Sequence, residues 1–209
     1  MKTYIVGNSY SYHHFLKNQE VVDNIEDADV VIFTGGEDVF PVLYDEKKHP
    51  YTSYNRERDL KEAIIYDKAK KLNKPMLGIC RGAQFLTVLN NGKLVQHVNG
   101  QPYMHAVKDI DKNAYMVTST HHQMMFPFNL ADDDYTIIAH TTNLTTKWEG
   151  LPKGYENYPN TDGREIEVVH YPKTNCLCIQ GHPEYEDADA KFVKYTNRYI
   201  QKYLLNNDS

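Results

Sequence analysis

The sequence predicts one α/β domain built on a largely parallel sheet, and three observations carry that prediction. Continuous apolar runs at residues 29–34 (Asp29-Val30-Val31-Ile32-Phe33-Thr34) and 76–79 (Met76-Leu77-Gly78-Ile79) lead into glycine-bearing turns, as strands buried on both faces do. Between them, residues 57–72 place Leu60, Ala63, Ile64, Ala69 and Leu72 at near-helical spacing. The chain has 209 residues, 41% hydrophobic and 24% charged, with no internal repeat or clear linker, which is enough for a single core over residues 1–209.

Taken in order, residues 3–6 read as the first strand and residues 10–17 as a short helix with aromatic side chains on one side. The apolar run 29–34 is the next strand. The helix over 57–72 keeps Lys68, Lys70 and Lys71 on a solvated face and stops at Asn73-Lys74-Pro75. Residues 76–79 form a buried strand and 83–89 a helix. Asn90-Asn91-Gly92 ends that helix with residues that tolerate positive φ. The second half is richer in β structure, with short strands at 115–118, 135–140, 165–170 and 176–179. Residues 141–163 hold Gly150, Pro152, Gly154, Pro159 and Gly163 and read as a long irregular loop or lid. A helix over 188–205 packs Phe192, Tyr195, Tyr199 and either Tyr203 or Leu204 along one side.

Composition excludes several partners. Lys and Arg number 23 against 28 Asp and Glu, a net charge of −5, which argues against a nucleic-acid surface or an anionic membrane. No apolar run approaches the ~20 residues that span a bilayer. The first residues read as a strand without a signal-peptide core, and the cysteines Cys80, Cys176 and Cys178 do not make a disulfide framework. These features predict a cytoplasmic, reduced protein. His13-His14 and His121-His122 raise a metal reading. Adjacent histidines seldom share one zinc, so no metal or other cofactor is expected.

The chemistry centres on Gly78-Ile79-Cys80-Arg81-Gly82. A cysteine between glycines at a strand-to-helix turn is how an α/β enzyme presents a nucleophile, since the glycines permit a turn too sharp for a Cβ. The helix start adds N–H groups and a positive dipole end that favour thiolate. A buried structural thiol is the competing reading of Cys80. Gln180-Gly181-His182-Pro183-Glu184 follows the last strand, so His182 could face the thiol while Glu184 fixes its tautomer. A plain His-Pro turn is the alternative there, and the pairing of a late-strand histidine with an earlier cysteine elbow favours the active-site reading. Gly35-Gly36 could aim a backbone N–H at an oxyanion, with the N–H of Arg81 as second donor; a simple tight turn is equally open.

Gly78-Ile79-Cys80-Arg81-Gly82-Ala83-Gln84 and His182-Pro183-Glu184 resemble the two signatures of class I glutamine amidotransferases. More narrowly, residues 35–44, Arg58-Asp59-Leu60-Lys61-Glu62, residues 92–97, His105-Ala106-Val107 and residues 118–123 resemble the γ-glutamyl hydrolase branch, peptidase family C26, which includes γ-glutamyl-γ-aminobutyrate hydrolases. The resemblance implies a flavodoxin-like three-layer α/β sandwich with a mostly parallel central sheet. It also implies cleavage of a γ-glutamyl amide through a glutamyl thioester. Cys80 would be the nucleophile, His182 the proton donor and Glu184 its orienting partner. Gly36 and Arg81 would supply the oxyanion hole from their backbones, and Gln84, Ser119, Thr120 and His121 would hold the glutamyl end of a small-molecule substrate.

The chain departs from the branch in places. It is short before Gly35, Thr87, Asn91 and Thr118 replace the usual residues, and Gly181 replaces a bulky aromatic residue. Loss of that ring is expected to open space beside the imidazole, while Trp148, Tyr155 and Tyr158 could wall the site instead. Three functions compete: a free-standing γ-glutamyl hydrolase, a glutaminase subunit passing ammonia to a synthetase, and a catalytically silent binding module. The macromolecular partners left open are a synthetase and a second copy of the chain.

Overall fold

The computed structural model describes residues 1–7, 10–100, 102–141, 147–158 and 165–206. Five strands come first: β1 (Lys2–Val6), β2 (Glu20–Val21), β3 (Val30–Phe33), β4 (Met76–Ile79) and β5 (Lys93–Val95). Then follow β6 (His97–Asn99), β7 (Met104–Asp109), β8 (Ala114–Thr118), β9 (Met124–Phe126) and β10 (Thr136–Thr141). The last three are β11 (Lys147–Glu149), β12 (Ile166–Tyr171) and β13 (Cys176–Ile179). The helices are α1 (Arg56–Lys71), α2 (Arg81–Leu89) and α3 (Lys191–Tyr199), the last continuing as a π-helical turn, Ile200–Leu204.

The central sheet runs β2-β1-β3-β4-β13-β12-β10-β7-β8. Its pairs from β2 to β13 are parallel and those beyond are antiparallel. Successive side chains alternate between its faces. Val31, Phe33, Met76, Cys176 and Cys178 pack with Tyr66, Ala69, Phe85 and Leu86 of α1 and α2. Val30, Ile32, Leu77 and Ile179 pack with Phe192, Tyr199 and Leu204 on the other face. The result is a three-layer sandwich, as a flavodoxin-like fold requires. Cys176 and Cys178 therefore point the same way and stay free thiols, and burial pushes the Cys176 thiol up to about 11.

Several elements depart from the sequence reading. The helix expected over 10–17 is only a 3-10 turn, Tyr10–His13, so the connection from β1 to β2 is made without a full helix. In α1 the expected apolar stripe is split: Leu60 and Ile64 are 52% and 71% exposed, whereas Ala69 is buried together with Asp59, Glu62 and Tyr66. Charged residues occupy the inner stripe because they meet Arg81, a cation that local periodicity does not reveal. Part of the 141–163 segment is ordered as β11, which pairs with β6, while residues 142–146 and 159–163 lie outside the described residues. Asn91 takes φ 65° after α2, so the turn survives the replacement of its usual glycine.

Candidate active site

The elbow sits where β4 passes into α2. Cys80 has φ 50° and ψ −109°, a conformation that L-residues rarely adopt. Such strain persists only when surroundings over-determine it. Here Cys80 N–H donates to the Ile179 carbonyl at 2.8 Å, and the Cys80 carbonyl accepts from Gln84 N–H at 3.1 Å. The flanking glycines are sterically required. A Cβ on Gly78 would lie 2.6 Å from the Gly82 carbonyl oxygen, and one on Gly82 would collide with the Phe33 carbonyl. The first N–H groups of α2 have no intrahelical acceptor.

Beneath the elbow, the Arg81 guanidinium is buried and donates to Asp59 and Glu62 of α1. Arg58 bridges Glu62 and Glu37, each at 2.7 Å, and donates to the Gly35 carbonyl at 2.9 Å. Gly36 takes φ 144°, and a Cβ there would collide with the Arg58 guanidinium. The charged inner stripe of α1 thus clamps both the elbow and the loop after β3.

His182 follows β13 and is buried. Its Nδ1 lies 2.7 Å from Glu184 Oε1, which directs Nε2 toward the thiol and Thr120 Oγ1, the latter at 2.9 Å. Burial disfavours the imidazolium, but hydrogen bonding to, and electrostatic attraction by, the Cys80 sulfur and Glu184 push its pKa up to about 10. At neutral pH the ring is therefore a proton donor held beside the sulfur. Tyr185 stacks on it, with ring centroids 4.4 Å apart and planes at 1°.

These groups open on a cavity of about 280 Å³. Cys80, Gly36, Gln84, Thr120, His121 and His182 line it, so the structure brings together six of the residues singled out from the sequence. Glu184 stands behind His182, and Arg81 is not on the cavity wall, its side chain being buried against α1. Ser119 is not on the cavity wall: it is buried, and its hydroxyl has no partner. Gln84 is oriented by donation to the Gln123 carbonyl at 2.8 Å. His121 is neutral because burial lowers its pKa to about 3. Its Nδ1–H donates to the Gln123 carbonyl at 2.8 Å, leaving Nε2 as an unpaired acceptor.

Glu37, Asp38, Ser53, His122, Gln123 and Tyr185, which the sequence reading did not assign to the site, complete the lining. Asp38 pairs with His122 at 3.0 Å, an interaction that raises the pKa of His122. Tyr12 was also missed; it lies behind Glu184 and 172 residues from it in sequence. Tyr185 could have been found as the aromatic residue beside His182-Pro183-Glu184, whereas Tyr12 carries no local signal. Two expectations are corrected. The space beside Gly181 is not open, because Phe192 of α3 fills it: a Cβ there would lie 2.9 Å from the ring and 3.0 Å from the Thr118 carbonyl. Trp148, Tyr155 and Tyr158 do not wall the cavity; they pack with Val95, Val98, Phe126 and Phe128 in a separate apolar cluster. Among the described residues no cluster of three or more His, Cys, Asp or Glu could hold a metal, and no helix is long and apolar enough to cross a membrane.

A cysteine elbow at the carboxyl end of a central strand, on this three-layer sandwich, defines a class I glutamine amidotransferase-like protein. The Peptidase C26 family pattern matches residues 13–184, and the chain belongs to that family. It is 35% identical over 121 residues to protein NtpR of Enterococcus hirae, a match covering 56% of this chain and 50% of NtpR. It is 24% identical over 172 residues to the glutamine amidotransferase-like protein YvdE of Lactococcus lactis, covering 80% of this chain and 71% of YvdE. With the carbamoyl phosphate synthase small chain of Escherichia coli it shares 30% identity over 114 residues, 53% of this chain and 24% of that one. The chain thus spans half of NtpR and about a quarter of the synthase chain. The acivicin-bound glutaminase domain of Trypanosoma brucei CTPS superposes with a TM-score of 0.62 at 11% identity, over 100% of this chain and 95% of that one. PurLQS of Thermotoga maritima superposes with a TM-score of 0.62 at 17% identity, over 97% and 98%. At those identities the superpositions speak for the fold.

Proposed function

We propose that the chain is a cysteine-dependent hydrolase of γ-glutamyl amides of small metabolites, acting through a glutamyl thioester. The observation that carries this reading is the Cys80–His182–Glu184 array opening on one cavity beside the Gly36 loop. The Cys80 sulfur attacks the γ-carbonyl carbon, and the carbonyl oxygen takes up the negative charge facing the backbone N–H groups of Gly36 and Arg81. Collapse breaks the C–N bond as His182 Nε2 gives its proton to the departing amine. Water then attacks the thioester, returns a proton to His182, and releases glutamate and the free sulfur. Glu184 keeps the imidazole oriented throughout.

The glutamyl amino-acid end is held by Gln84, Thr120 and His121. The Nε2 of His121 is an acceptor suited to an ammonium group. Ser119 is outside this set, since it is off the cavity wall and its N–H donates to the Tyr103 carbonyl at 2.7 Å. Tyr185 and the Asp38–His122 pair complete the cavity around that end.

The second reading is a glutaminase delivering ammonia to a synthetase, favoured by the likeness to the carbamoyl phosphate synthase small chain. One experiment separates the two: released glutamate is measured across a panel of γ-glutamyl amides, free glutamine included, with and without candidate synthetases. Turnover of a substituted amide by the chain alone supports the hydrolase. Hydrolysis of glutamine only, and only with a partner, overturns it.

A further inference from the structure

Tyr12 occupies a place that neither the elbow nor the His-Pro-Glu corner accounts for. Its phenol is buried and donates to Glu184 Oε1 at 2.6 Å. The Tyr12 hydroxyl oxygen in turn accepts the Gly35 N–H at 2.9 Å. Gly35 allows the approach, since a Cβ there would lie 3.0 Å from the Tyr12 hydroxyl and 3.3 Å from the His182 ring. Glu184 Oε1 thus accepts from both Tyr12 and His182, while Oε2 is buried without a partner.

The turn that presents Tyr12 is itself anchored. Gln19 donates to the Tyr12 carbonyl at 2.7 Å and to Thr3 Oγ1 at 3.0 Å, and accepts from Leu16 N–H at 3.2 Å. The Tyr12 ring meets Phe15 edge-on at 5.9 Å. Burial, with the charge of Glu184, raises the phenol pKa, so the group stays a donor across the working range of pH.

We propose that Tyr12 is a positioning residue whose single hydroxyl ties the Glu184 carboxylate to the Gly35–Gly36 loop, setting base orientation and oxyanion geometry together. This rests on the reading of Cys80, His182 and Glu184 as catalytic. Without the hydroxyl, Glu184 loses the donor that fixes which oxygen faces His182, and Gly35 loses its acceptor. Both ends of the reacting amide then meet a looser site. Misplacements on the ångström scale cost up to about a hundredfold in rate, and a loss on the order of tenfold is expected here.

The test is Tyr12→Phe, which keeps the ring against Phe15. Three quantities are read: kcat and KM on any amide the wild type turns over, the pH profile of Cys80 alkylation by iodoacetamide, and hydrogen exchange at the Gly35 amide. The titratable groups that face His182 among the described residues are Cys80, Glu184, His121 and Tyr185, and none of these is altered. The expected result is a kcat about tenfold lower with KM within about twofold. The alkaline limb of alkylation moves to lower pH as the imidazolium loses support, and Gly35 exchanges faster. Tyr10→Phe, exposed in the same turn, changes none of them.

An alkylation profile and Gly35 exchange superimposable on wild type overturn the proposal. Because alkylation needs no substrate, a shifted profile in a chain that hydrolyses no amide would overturn the hydrolase reading alone. Should Tyr12→Phe fail to fold, the wild-type protein decides by NMR. A slowly exchanging Tyr12 hydroxyl proton with cross-peaks to the Gly35 amide supports the tether, and the absence of those cross-peaks overturns it.

Discussion

Replacing Arg81 by Met isolates what its side chain contributes beneath the elbow while leaving the backbone N–H at position 81 in place. Arg81 and Asp59 are each 1% exposed and Glu62 is 3% exposed, so the substitution strands carboxylates that water does not reach. Removing one partner of a buried ion pair typically costs about 3–5 kcal/mol. Glu62 keeps Arg58 at 2.7 Å, and Asp59 keeps only the Phe40 N–H at 3.0 Å, so one carboxylate is left uncompensated. That places the loss near the lower end, about 3 kcal/mol, a large share of the roughly 5–15 kcal/mol that holds a domain folded. With a urea m-value of about 1–3 kcal/mol per molar, the midpoint falls by about 1 M or more.

The pH dependence gives the sharper check. Burial already raises the Asp59 pKa against the pull of Arg81. Without the guanidinium the native state takes up a proton there more readily than the unfolded chain does. Stability of the variant therefore recovers as pH falls through the raised Asp59 pKa toward the ordinary carboxylate range. Urea unfolding of wild type and Arg81→Met at several pH values measures this. A deficit that is negligible, or constant across that range, would refute the argument that the Arg81–Asp59–Glu62 cluster is an ion pair in a dry interior.

Further outcomes follow from the same geometry. Cys80→Ala is expected to abolish thioester formation with the fold intact by circular dichroism. It also removes the sulfur's support for the imidazolium, so an NMR titration finds His182 deprotonating at lower pH than in the wild type. Because a raised folded pKa stabilises the native state below the unfolded value and is lost through the folded one, alkaline unfolding begins earlier in that variant. Gly181→Trp is expected to cost about 1–3 kcal/mol by overpacking against Phe192. Combined with Phe192→Ala it should recover much of the loss, giving a strongly non-additive cycle in urea unfolding. Tyr185→Leu should change relative rates among γ-glutamyl amides, since the ring lines the cavity and stacks on His182, whereas Trp148→Ala should lower stability and leave relative rates unchanged.

The elbow was legible in residues 78–82 because its constraint is local: the positive φ at Cys80 and the crowding at Gly78 and Gly82 demand particular residue types at adjacent positions. The buried strands at 30–33 and 76–79 and the αL turn at Asn91 were legible for the same reason. His182 and Glu184 could be placed because a histidine after a late parallel strand must emerge at the same sheet end as the elbow.

Other features depended on which distant segments meet. An apolar count along α1 points to Leu60 and Ile64, yet Arg81 draws Asp59 and Glu62 inward, since a buried cation must be matched whatever the helix periodicity prefers. The missing ring at Gly181 reads as a hole until α3 brings Phe192 into it. Tyr12, one of 17 tyrosines, has nothing nearby in sequence to mark it; its meaning comes from a hydroxyl that reaches Glu184 across 172 residues. Turn geometry and strand burial are short-range constraints and are written in neighbouring residues. Charge matching, cavity filling and hydrogen-bond satisfaction are settled only when the folded chain brings remote partners into contact.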